Sequence, residues 1–157
     1  MSRRAVAVTL LTSILLLLAL FMFASRAPRP ANLGVQNGRL APCPPSPNCV
    51  CSQGADPAHF IAPLRYQTSP AAAMADLKQV LARQKRVTII TANDDYLYAE
   101  FRSKWFRFVD DVEFLIETNG VIQVRSASRV GHSDLGVNRK RIETLRRQFE
   151  SFPNNHL

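Results

Sequence analysis

"FRFVDDVEFLIETNGVIQVRSAS" (106–128) holds two runs of β-branched and aromatic residues around a Thr118-Asn119-Gly120 break, and its register decides which face of a sheet is buried. A two-residue Asn119-Gly120 loop would pair Phe114 with Arg125 and set apolar residues opposite polar ones. A three-residue loop, with Gly120 in the left-handed position, pairs Phe114 with Val124, Ile116 with Ile122 and Glu113 with Arg125. One face is then apolar and the other ion-paired, so the three-residue loop is expected.

Upstream, "YLYAEFR" (96–102) and "VTIIT" (87–91) read as further strands. Across "RSKWF" (102–106), a two-residue Ser103-Lys104 loop pairs Phe101 with Phe106, Ala99 with Phe108 and Glu100 with Arg107. Both hairpins then bury one face, made of Leu97, Ala99, Phe101, Phe106, Phe108, Val112, Phe114, Ile116, Ile122 and Val124. The other face carries Tyr96, Tyr98, Glu100, Arg107, Asp111, Glu113, Arg125 and Arg129. It is the candidate binding surface, unless the Pro-rich stretch 40–66 lies across it.

Two amphipathic stretches supply a cover for the apolar face. "SPAAAMADLKQVLARQ" (69–84) opens with Ser69 as N-cap and Pro70 at the first helical position, and Met74, Leu77 and Leu81 form its stripe. Ser133 or Asp134 can cap a second helix whose inner face is Ile142, Leu145 and Phe149. The expected fold is α+β: an antiparallel sheet of about four strands with two helices on one face, preceded by an N-terminal membrane helix.

That last element is read from "AVAVTLLTSILLLLALFMFA" (5–24), twenty uncharged residues flanked by Arg3, Arg4, Arg26 and Arg29. Twenty helical residues rise about 30 Å, the thickness of a bilayer's hydrocarbon core. An uncleaved anchor is expected, with a removed signal peptide as the alternative. The organisation is then 1–25 anchor, 26–41 linker, 42–151 soluble domain and 152–157 tail. Basic residues flank the span on both sides, so the positive-inside rule nearly ties. The short N-terminal tail and the cysteines favour a periplasmic or other extracytoplasmic domain. The net charge of +8 does not signal nucleic acid. Residues 1–40 hold five Arg and no acid, which leaves 41–157 with fifteen basic and twelve acidic residues. Only "RKRIETLRR" (139–147) stays dense, and it reads as the solvated face of a helix.

Three segments could carry chemistry. In "CPPSPNCVCSQ" (43–53), a Cys43–Cys49 disulfide would close a loop stiffened by prolines and leave Cys51 odd. Recruiting His59 instead gives a Cys43/Cys49/Cys51/His59 zinc or copper set, though the usual C-x₂₋₄-C pair is missing. A redox role would call for C-x-x-C, also missing. In "RSASRVGHSDLGVNRKRIETL" (125–145), Arg125, Ser126, Ser128, Arg129, Ser133, Asn138 and Arg139 gather near a helix start. They are candidates for holding a phosphate, a carboxylate or a lipid head group. The plainer alternative pairs Arg129 with Asp110 or Asp111. In "FVDDVEF" (108–114), Asp110 falls on the apolar face with Asp111 and Glu113 opposite it. A core-facing carboxylate needs partners, and His132 or Arg139 could reach it.

"CPPSPNCVCSQ" (43–53), "FRFVDDVEF" (106–114) and "IQVRSASRVGHSDLGVNRKRIETLR" (122–146), in that order and spacing, resemble the domain-of-unknown-function family 1499. The resemblance covers about residues 40–149. Members are similar in a C-P-x-S-P-N-C-V-S-S-Q opening, an F-V-D-D-x-E-F strand and an R-S-x-S-R-x-G-x-S-D-x-G-x-N-R close. The chain departs at Cys51, where the family usually has Ser. The resemblance therefore implies that Cys43 and Cys49 are the shared pair. Many members carry a signal, lipid anchor or membrane span, which implies an extracytoplasmic setting. Asn48, Asp110, Asp111, Glu113, Arg125, Ser126, Ser128, Arg129, Ser133, Asp134, Asn138 and Arg139 match its motifs, and no activity comes with them.

The expected function is a non-enzymatic, membrane-anchored module for an anionic small molecule, a lipid head group or an envelope protein, without a cofactor and without nucleic acid. One alternative is an enzyme centred on Asp110, Asp111, His132 and Ser128. The other is metal handling through the three cysteines and His59.

Overall fold

The computed structural model describes residues 2–25 and 27–152; the side chains of 20, 21 and 23–25 lie outside that description, as does the expected tail beyond Phe152. The chain runs α1 (Arg3–Ser25), β1 (Cys49–Cys51), β2 (Leu64–Arg65), α2 (Pro70–Ala82), β3 (Val87–Ala92), β4 (Tyr96–Arg102), β5 (Val109–Glu117), β6 (Val121–Ser128) and α3 (Val137–Glu150). All pairings in the sheet are antiparallel, in the order β1-β6-β5-β4-β3, and β2 pairs β6 along the same edge as β1.

The expectation of about four strands and two helices is thus overturned: among the described residues the sheet has six strands, and three helices are present. The two additional strands come from the Pro-rich stretch. They are too short to carry a readable alternation: Cys49–Cys51 pairs with Arg125–Ala127, and Leu64–Arg65 with Val121–Ile122. A membrane span over 5–24 is overturned too. A helix forms there, but among the described residues no helix is long and apolar enough to cross a membrane. Thr9, Thr12 and Ser13 interrupt its apolar side chains, and their hydroxyls bond back to carbonyls of the helix itself.

The central hairpin has the three-residue loop. Phe114 faces Val124, Ile116 faces Ile122 and Glu113 faces Arg125. Gly120 takes φ +84°, and its carbonyl accepts the Tyr66 N–H at 2.9 Å. The β4–β5 register differs from expectation. Phe101 pairs with Asp110, Ala99 with Val112 and Glu100 with Asp111, so residues 103–108 form a longer loop. The slip is four residues, an even number, so each side chain keeps its face. Phe106 and Phe108 nevertheless leave the core and are exposed.

The helices pack where the sequence put them. Ser69 Oγ accepts the Ala72 N–H and Pro70 starts α2, which buries Ala73, Met74, Leu77, Val80 and Leu81. From α3, Ile142, Leu145 and Phe149 join the same core, against Leu97, Val112, Phe114, Ile122 and Val124. Gly136, in the left-handed region, precedes α3, and the Asp134 carboxylate accepts the N–H groups of Gly136 (2.9 Å) and Asn138 (2.7 Å).

Candidate functional site

The second face of the sheet is built as the register requires, but it is not open. Tyr98, Glu100, Asp111, Glu113 and Arg125 are all buried. What covers them is the stretch ahead of the cysteines. Arg29 donates to Glu100 (3.0 Å), the Gly34 N–H donates to Glu113 (2.7 Å), and Arg129 donates to the Ala27 carbonyl (3.2 Å). The cover turns back on itself through a Gln36–Arg39 backbone bridge, with Asn37 (φ 51°) and Gly38 (φ 73°) at the tip. Positive φ at both positions suits an Asn-Gly turn, and that dipeptide is the signal by which the sequence could have shown this hairpin.

Under this cover lie two linked charge groups. Arg129 donates to both oxygens of Asp111 (2.7 and 2.9 Å), to Glu100 (2.6 Å) and to the Tyr98 hydroxyl (2.9 Å). Tyr98 in turn donates to Asp111 at 2.6 Å. Next to them Arg125 donates to Glu113 at 3.1 Å, and Tyr96 donates to the same carboxylate at 2.9 Å. Burial alone pushes Glu100 up and Arg129 down, yet hydrogen bonds win: those from Arg129 and Arg29 for Glu100, and those to Asp111 and Glu100 for Arg129. Glu100 is held below the usual carboxylate range and Arg129 is held above the usual guanidinium value. Burial, reinforced by carboxylates that accept their hydroxyls, pushes Tyr96 and Tyr98 well above the ordinary phenol range.

One donor in this assembly has no acceptor among the described residues: Arg125 is 4 % exposed and its Nε–H is unpaired there. Arg125 lines a cavity of about 410 Å³. Asp111, Ala127, Ser128 and Arg129 form one side of it, and Pro30, Asn32, Pro42, Cys43 and Pro44 the other. A buried unpaired donor costs of order 1–3 kcal/mol, and where one persists an ion or water is a common explanation.

The opposite face holds a different and fully paired network. Asn138, completely buried, donates to the Asn48 carbonyl (3.0 Å) and to Ser128 Oγ (2.9 Å), and accepts from Ser126 Oγ (2.5 Å) and Arg141 (2.6 Å). Asp110 accepts from Ser128 Oγ (2.5 Å) and from Arg141, while Asn48 donates to the Gly131 carbonyl at 2.6 Å. These residues lock the start of α3, the end of β6 and the cysteine loop together.

The seven residues proposed as one anion site are therefore separated. Arg125 and Arg129 lie under the N-terminal cover. Ser126, Ser128 and Asn138 belong to the helix-side network. Ser133 Oγ accepts the Leu135 N–H, and Arg139 reaches the Phe60 and Ala58 carbonyls. The partner of Asp110 is Arg141, rather than His132 or Arg139, and sequence reading did not single Arg141 out. Its signal is its place one turn after Asn138 on the face of α3 that meets the sheet. Asp110 and Asp111 point to opposite faces and His132 is exposed, so the four residues of the enzyme alternative do not share a pocket.

Cys43 and Cys49 form a disulfide and Cys51 is a buried free thiol. The bridge removes two thiolates from the metal set. Among the described residues no group of three His, Cys, Asp or Glu could hold a metal ion. His59, buried, donates its Nδ1–H to the Cys49 carbonyl at 2.9 Å.

Fold and site define a small α+β domain whose sheet buries charge on one face and carbon on the other. The chain belongs to the family described as protein of unknown function (DUF1499), whose model matches residues 39–149. No curated protein and no solved structure matches it.

Proposed function

We propose that the protein is a non-enzymatic binding module that takes a small anion in the cavity between the N-terminal cover and strands β5 and β6. The observation that carries this reading is buried Arg125, which lines that cavity and whose Nε–H has no partner among the described residues. A carboxylate or phosphate oxygen is the acceptor it lacks, and Arg129 adds a second cation to the same wall. The setting is extracytoplasmic, a reading supported by the disulfide, since such bridges persist in oxidising compartments.

The test is a titration with inorganic phosphate, and with succinate as a dicarboxylate probe, followed through the arginine Nε–H resonances of the ¹⁵N-labelled chain. Saturable shifts of the Arg125 and Arg129 resonances, with Arg129 no longer shifting in a folded Arg125→Lys variant, support the module. An unchanged Arg125 resonance up to tens of millimolar of both probes means a water-filled cavity and ends the reading.

A further inference from the structure

The β4–β5 loop holds three exposed aromatic residues. Ser103 and Phe108 close it: the Ser103 N–H donates to the Phe108 carbonyl (2.9 Å) and the Phe108 N–H to Ser103 Oγ (3.0 Å). Between them the tip reads Lys104-Trp105-Phe106-Arg107, a cation on either side of two aromatics. Trp105 is 74 % exposed, Phe106 49 % and Phe108 40 %. The phenyl rings of Phe106 and Phe108 pack together at 5.7 Å, and the Lys104 ammonium sits 4.6 Å from the Trp105 ring centroid. Large aromatics held this far out of a well-packed fold mark a contact surface.

The charge around the tip says what kind of surface. At its base Arg102 and Arg86 are joined backbone to backbone at 3.0 Å. Arg86 leads into a groove of about 430 Å³ between the end of α2 and the start of α3. Arg83, Lys85, Lys140 and Arg141 line it too, with no carboxylate among its lining residues. Tip and groove together present cations beside aromatic side chains. Trp at a water–hydrocarbon boundary and Lys or Arg against anionic head groups is the pattern of an interfacial membrane contact.

We propose that the β4–β5 tip docks on an anionic bilayer surface, with Trp105 and Phe106 entering the interface and Lys104, Arg107 and the basic groove lying over lipid phosphates. This contact is independent of the cavity reading, and it is a surface contact only.

Trp105 is the chain's one tryptophan, so its emission reports this loop alone. The full chain is titrated with vesicles of phosphatidylcholine, and with vesicles containing one quarter phosphatidylglycerol. The expected result is a blue shift of Trp105 emission on the anionic vesicles, quenched by brominated acyl chains and reversed by high salt. Lys104→Gln/Arg107→Gln should weaken binding about 25-fold, at about fivefold per cation, with an unchanged melting temperature. A chain that pellets with vesicles while Trp105 emission stays that of water binds elsewhere and overturns the proposal. So does an equal shift on neutral vesicles. A concentration-dependent shift without lipid assigns the patch to a second copy of the chain instead.

Discussion

Replacing Arg129 by methionine should destabilise the domain by about 3–5 kcal/mol, the usual effect of removing one partner from a buried ion pair. The guanidinium is only 6 % exposed and serves two carboxylates. Their losses are unequal. Glu100 keeps Arg102 at 2.8 Å and Arg29 at 3.0 Å. Among the described residues, Asp111 (1 % exposed) keeps only the hydrogen bond from Tyr98. Most of the effect is therefore an uncompensated charge on Asp111, which makes a specific rescue available. Asp111→Asn in the Arg129→Met background removes that charge, and the double variant should recover roughly 2 kcal/mol or more relative to the sum of the single changes. Urea unfolding reads all three: the Arg129→Met midpoint should drop by about 1–3 M with the slope unchanged. A single variant costing under about 1 kcal/mol, or strictly additive single changes, would refute the reasoning.

Removing the disulfide with Cys43→Ser/Cys49→Ser should cost about 2.4 kcal/mol, the loop-closure figure for a bridge of separation 6, as read by urea unfolding without reductant. Gly120→Ala should cost roughly 1–3 kcal/mol: the residue sits at φ +84° and an added Cβ would lie 2.9 Å from the Tyr66 carbonyl oxygen, so the melting temperature should fall. Acid should weaken the fold through Glu100, whose lowered folded pKa makes its contribution present above about pH 4.5 and lost as pH falls through the folded value; Glu100→Gln should flatten the melting temperature over that window. Tyr96 and Tyr98 work in the opposite direction. Their raised values favour the folded state until pH climbs above the ordinary phenol value near 10, so phenolate absorbance from these two should appear only as the chain unfolds at high pH.

The parts of this structure that were legible in the sequence are those fixed by local chemistry or by strict alternation. Ser69-Pro70 starts α2 because a hydroxyl cap and a preset φ act within one turn. The β5–β6 register followed because only one loop length sends Phe114, Ile116, Ile122 and Val124 to a common face. The same reasoning failed at β4–β5, since Phe106 and Phe108 look like core residues by hydropathy and a four-residue slip leaves every face unchanged. Alternation cannot see an even slip. The N-terminal cover was illegible for another reason. It holds the sheet through a few residues, Ala27, Arg29 and Gly34, each set by tertiary position rather than by any period in the chain. Asp110 was correctly placed on the apolar face, but its partner Arg141 lies thirty-one residues away and was visible only once α3 had docked.

The buried polar residues are not spread evenly over the sheet, and their distribution argues for where function lies. At the end where β4 turns into β5, Val109 and Asp110 meet Arg102, Phe101 and Ser128, and the Arg129 N–H bonds the Val109 carbonyl. There the fold ties together Asn48, Asp110, Ser126, Ser128, Asn138 and Arg141 on one face and Glu100, Asp111 and Arg129 on the other. The opposite end, around Gly120, is held by the Tyr66 contacts to Gly120 and Glu117. A buried polar network is no cheaper than packed carbon, so its concentration at one end is best understood as specifying geometry there rather than adding stability. That end carries both the cavity walled by Arg125 and Arg129 and the Trp105 tip. With both sheet faces covered, the sheet itself is reached through such margins. The cavity and the Trp105 tip therefore lie at the same edge of the domain, beside the polar network that fixes its geometry.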